Sequence, residues 1–210
     1  MECRQQTCRV RIEDDGSGKL NQRLPFIAAT LVDVLPPACP PSLLAEGKPA
    51  QADTKLATVT RLAGGRETAM RHPLVRARIV AAESLLTRSR LPEAQHEIET
   101  ALHDSHKVAG SRDALYLGSA MLISSRIAAA QARYLDAEQT ATSALHLFEQ
   151  RARSPDTSAD VGEALLVLAQ ERRARGDPRG AAEFARRAQS CLDSALGPDH
   201  PLTQDAAQIL

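Results

Sequence analysis

The chain has 210 residues, 26 basic and 26 acidic side chains, 43% hydrophobic residues, 2% aromatic residues and no Trp. That composition is ordinary for a globular protein, and a formal net charge of zero excludes the strongly basic footprint of a nucleic-acid binder. The only aromatics, Phe26, Tyr116, Tyr134, Phe148 and Phe184, are too few for base-stacking platforms or large aromatic-lined pockets, so the core must be built from Ala, Leu, Ile and Val.

Residues 1–65 differ from the rest and read as a Pro-rich, poorly ordered arm. They hold Pro25, Pro36, Pro37, Pro40, Pro41 and Pro49, half of the 12 prolines. The alternation in Thr7–Glu13 suits a short strand, and Asp14–Gly18 suits a turn. Pro36–Pro41 cannot be helical, since each Pro lacks an N–H and restricts the residue before it. Gly16-Ser17-Gly18-Lys19 resembles a phosphate loop only in passing, because the position of the first glycine is Glu13 and Leu20 follows the lysine; a P-loop needs Gly and Ser or Thr there. The apolar run Leu24–Leu35, broken by Pro25 and Asp33, falls short of the roughly 18–20 residues of a membrane span and starts too far from Met1 for a signal peptide. Ala38-Cys39 has some likeness to a lipoprotein cleavage site, but Pro36 and Pro37 occupy its aliphatic positions. Cys3, Cys8, Cys39 and Cys191 show no CxxC spacing and read as reduced thiols, with a Cys3–Cys8 disulfide as the alternative. The expectation is a cytoplasmic protein. Abundant Arg and Ala add a GC-rich, bacterial coding sequence.

From about Arg66 the texture turns helical. Breaks fall at Leu91-Pro92, near Ala109-Gly110-Ser111, near Leu135-Asp136, at Ser154-Pro155-Asp156, at Gly176-Asp177-Pro178 and at Gly197-Pro198-Asp199-His200-Pro201. Pro178 and Pro201 suit the first helical position, and Gly197 suits a left-handed helix end. About seven helices and no convincing strand result.

These helices repeat. Ala82, Ala94, Ile98 and Ala101 are spaced by 12, 4 and 3 residues. The same spacing recurs at Ser125, Ala137, Ala141 and Ala144, and at Ala169, Ala181, Ala185 and Ala188, 43 and then 44 residues further on. His72-Pro73-Leu74 returns as His200-Pro201-Leu202 after close to three periods. Small side chains at these points let paired helix axes approach to the short end of the ~8–10 Å range. Leu85, Leu102, Leu145, Leu165 and Leu168 fill around them, and stacking of neighbours completes the core.

Leu168-Ala169 through Arg175-Gly176-Asp177 to Ala181 and Ala188, together with Tyr134-Leu135-Asp136-Ala137 and Arg90-Leu91-Pro92-Glu93-Ala94, resembles the tetratricopeptide repeat (TPR). The long period and the Leu196–Pro201 linker are similar to the kinesin-light-chain type, also found in C-terminal arms of bacterial signalling proteins. The usual period is 34 residues with aromatics at core positions, which are mostly missing here. The resemblance implies an all-α, right-handed TPR-type superhelix of antiparallel helix pairs over residues 66–210, with repeats at about 73–108, 111–153 and 157–197 and a half-repeat at 201–210. Leu202, Ala206 and Ile209 would face back onto the third repeat. The half-repeat lacks a polar outer face, which leaves fraying, a homodimer contact or a truncated array open.

The family's groove positions fall on Arg76, Ile79, Glu83 and Leu86, on Ser119, Leu122 and Arg126, and on Glu163, Leu166, Gln170 and Arg173. They imply a non-enzymatic scaffold binding an extended or helical peptide with some acidic character, without nucleic acid, membrane or cofactor. The alternative is a detached or truncated regulatory arm of a bacterial signalling enzyme such as a serine/threonine kinase. A clamp for a chaperone's C-terminal carboxylate is not implied, since Ile79, Glu83, Ile123, Glu163 and Val167 stand where its Lys, Asn and Arg would be. His96, Glu99 and His103 share one helix face on the outer side and read as solvated, not as a metal site. Arg172, Arg173, Arg175, Arg179, Arg186 and Arg187, interleaved with Glu171, Asp177 and Glu183, read as a salt-bridged surface.

Overall fold

The computed structural model describes Ala57, residues 71–105 and residues 111–210. The expected strand at Thr7–Glu13, the expected turn at Asp14–Gly18, the glycine-rich Gly16–Lys19 stretch, and Cys3, Cys8 and Cys39 lie outside the described residues. The described part is all-α. Its helices are α1 (Arg71–Thr87), α2 (Leu91–Ser105), α3 (Ser111–Ala130), α4 (Tyr134–Arg151), α5 (Ala159–Ala174), α6 (Pro178–Leu196) and α7 (Pro201–Ala207), with a 3-10 turn at Pro155–Thr157 before α5. No strand occurs among the described residues.

The helices pack as α1 with α2, α3 with α4 and α5 with α6, and each pair stacks on the next. The small-residue register explains the pairing. All 12 of its positions, from Ala82 to Ala188, are at most 1% exposed. Two glycines extend this principle. A Cβ on Gly118 would run into the Phe148 ring, and one on Gly162 would lie 2.7 Å from Leu192 Cγ. The corresponding residues of the first pair are Val75 and Ser105, both buried. Each pair therefore sets one bulky side chain against one small one, and in the second and third the small one has no side chain at all.

Each pair turns through the same device. Ser89 N–H donates to Leu86 O and Arg90 N–H to Leu85 O; Ala132 and Arg133 repeat this with Ala129 and Ala128, as do Gly176 and Asp177 with Arg173 and Arg172. This is the Schellman closure, with one residue at positive φ. The three such residues are Ser89 (φ 58), Ala132 (φ 62) and Gly176 (φ 81). Only the third is a glycine, so the second break, expected near Leu135-Asp136, comes at Gln131–Arg133, with Tyr134 already helical. Asp177 then caps α6 by accepting from Gly180 N–H at 2.9 Å, and His200 Nδ1 accepts from Leu202 N–H at 3.3 Å to start α7. Gly197 has the expected positive φ, 91, but its ψ of 163 places it in an extended region, not the left-handed helical one. That region is essentially confined to glycine.

The core of the described residues has two clusters, and α3 belongs to both. Ala120, Ile123 and Ile127 join Val75, Ile79, Ala82, Leu85, Ala94, Ile98 and Ala101. Leu122 joins Leu145, Phe148, Leu165, Leu168, Leu192 and their neighbours, with Ala206, Leu202 and Ile209 of the C-terminal segment packed on.

Candidate interaction surface

The first helices of successive pairs touch directly, α1 with α3 and α3 with α5. Residues at matching positions along them therefore form rows across the stack. One row is Arg76, Ser119 and Glu163, and another is Glu83, Arg126 and Gln170; all six are partly exposed. Between them runs Ile79, Leu122 and Leu166, all buried, at 8%, 2% and 2% exposure. These three belong to the core clusters and offer a ligand little side-chain surface. Leu86 packs on the first cluster, and Arg173 is exposed near the end of α5.

The rows are joined electrostatically. Arg126 Nη1 donates to Glu83 Oε1 at 3.0 Å, linking α3 to α1. Glu163 makes no hydrogen bond or ion pair among the described residues. Burial pushes its carboxyl up to about 7, with Glu83 and Asp160 raising it further and Arg126 opposing them. Burial also raises Asp160. The centre of this surface thus carries carboxyl groups that are reluctant to ionise, beside one guanidinium already in an ion pair.

Glu171 does not serve the arginine-rich surface. It is 4% exposed and accepts from the Ser125 hydroxyl of α3. The arginines find partners on the preceding pair instead. Arg172 and Arg175 both donate to Glu138 of α4, Arg172 also reaches Asp177 at 3.2 Å, and Arg187 reaches Glu149 at 3.4 Å. Arg172 also lies over the Phe184 ring, 6.0 Å from its centroid. On the first pair, Arg78 donates to Glu97 at 2.7 Å. Glu97, Glu138 and Glu149 do not stand out in the sequence because their partners lie at sequence separations of 19 to 38. Their one visible signal is an acidic residue on the second helix of a pair.

His96, Glu99 and His103 are exposed on α2, and Glu99 accepts from Gln95 at 2.6 Å. Among the described residues, no group of three His, Cys, Asp or Glu side chains is placed to hold a metal ion. No described helix is long and apolar enough to cross a membrane. Cys191 is a buried free thiol, its Sγ 3.7 Å from Pro155 O, and burial raises its pKa.

Helix pairs stacked in sequence around a continuous small-residue seam define a helical-repeat protein. The crystal structure of BtubC (BKLC) from P. vanneervenii shares the fold, with a TM-score of 0.59 at 16% sequence identity over 77% of this chain. The match spans 62% of that chain. No protein-family model and no curated protein matches the sequence.

Proposed function

We propose that the chain is a non-enzymatic TPR-type scaffold that binds a peptide or protein segment along α1, α3 and α5. The observation that carries this reading is the alignment of partly exposed polar residues, Arg76, Ser119 and Glu163 beside Glu83, Arg126 and Gln170, on helices in mutual contact. Rows of this kind offer spaced hydrogen-bonding groups to an extended chain or to one face of a helix. Leu86 supplies an apolar edge and Arg173 a charged end. Glu83 already occupies Arg126, so attraction for an acidic ligand would rest on the other arginines of this surface, such as the exposed Arg173.

The test reverses the polarity of that ion pair. A Glu83→Arg, Arg126→Glu double variant keeps the pair and should change stability by less than about 1 kcal/mol. It should also abolish crosslinks to a partner from a photoreactive residue placed at Gln170. Unaltered crosslinking from that position, or crosslinks that arise instead from a probe at His103 on α2, would overturn the assignment.

A further inference from the structure

Ser125 and Glu171 occupy the register positions that Ala82 and Ile127 hold one repeat earlier. Ala82 and Ile127 are 0% exposed members of one apolar cluster where the first helix pair meets the second. Where the second pair meets the third, the same positions carry a hydroxyl donating to a carboxyl. Glu171 Oε1 receives that hydrogen bond, but its Oε2 is buried with no partner. An ionised carboxylate offers about four acceptor sites, and one hydroxyl serves only one of them. Leaving a charge this poorly solvated costs far more than leaving a neutral carboxyl so.

The charged group acting on Glu171 from a neighbouring helix is Glu138 of α4, whose like charge disfavours ionisation. Glu138 is itself held by Arg172 and Arg175. From α3 the contact is the Ser125 hydroxyl, and no charged side chain of α6, α7 or the 3-10 turn contributes.

We infer that the packing of the third helix pair on the second is proton-coupled: the joint is tight while Glu171 is neutral and loosens as it ionises. Burial, the dominant cause, raises the carboxyl from 4.5 to about 6, with Glu138 adding to it and the Ser125 hydrogen bond opposing. Because the folded value lies above the unfolded one, the stabilisation is fully present below 4.5 and is lost as pH rises through about 6.

Two measurements on the full chain decide this. A side-chain carboxyl titration followed by NMR should place the Glu171 midpoint near 6; a midpoint at its ordinary value would overturn the inference. In urea unfolding, the ratio of the wild-type unfolding constant to that of Glu171→Gln should rise about 8-fold between about pH 5 and about pH 7.5. The same ratio at both values would overturn it as well.

Discussion

Between the first and second helix pairs the contact is apolar: Ile79, Ala82, Ile123 and Ile127 meet in one cluster, and the ion pair of Glu83 with Arg126 lies toward the surface. Between the second and third pairs the apolar cluster is larger, built on Leu122, Phe148, Leu165 and Leu168, yet the Ser125–Glu171 pair is buried beside it. The register is the same in both. What differs is which side chains fill it, and therefore how each joint responds to solvent conditions. The central helix α3 makes both contacts. Ala120, Ile123 and Ile127 serve one neighbour, and Leu122 and Ser125 serve the other. A helix buried on two sides cannot show a single apolar stripe.

The strongest way to break this comparison is to move the acid. Ile127→Glu puts a carboxyl into the first joint without a donor and should cost about 3–5 kcal/mol, the range for an uncompensated buried charge. The new carboxyl should by itself make the first joint pH-dependent, and adding Ala82→Ser should recover part of the loss, since a hydroxyl donor there would play the part Ser125 plays for Glu171. Urea midpoints across pH would reveal this, and a double variant no less stable at neutral than at mildly acidic pH would show that register alone does not confer the behaviour.

Gly118→Ala probes the packing within a pair. Its Cβ meets the Phe148 ring, so overpacking should cost about 1–3 kcal/mol, less the about 0.5–1 kcal/mol that Ala gains over Gly in a helix. A melting temperature equal to or above the wild type would mean that the ring moves aside freely.

The smallest effect is expected at the turns. Ala132 holds φ 62, a conformation that costs a residue with a Cβ about 1–2 kcal/mol. Ala132→Gly should therefore stabilise by up to about 1 kcal/mol once the extra chain entropy is deducted. A lower urea midpoint for this variant would mean that the turn does not depend on backbone freedom.

Much of the stack was legible in the sequence because its seam is periodic. Ala82 with Ala94 announces the pairing, Ala94, Ala137 and Ala181 announce the period, and all are buried as that pattern requires. Pro178 and Pro201 mark helix starts because their ring geometry acts locally. Less legible were features that depend on distant residues. Ser89 and Ala132 take positive φ in sequences that carry no glycine signal. Gly118 and Gly162 look like helix weaknesses until Phe148 and Leu192 are seen against them. Ile79, Leu122 and Leu166 lie on a first-helix row that continues from one repeat to the next, and only the packing shows that this row belongs to the core. Glu171 has the composition of a surface residue and acquires its character from burial against Ser125.

The alternation of bulky and small residues within the pairs also limits how the repeats can be rearranged. Gly118 is matched to Phe148, Gly162 to Leu192, and the first pair instead combines Val75 with Ser105. Grafting α1 in place of α3 would drive Val75 into the Phe148 ring, and the reciprocal graft would set Gly118 over Ser105 and open a hole. The smallest unit that can be duplicated, deleted or shuffled in this array is therefore a complete helix pair, even though its single helices share one register.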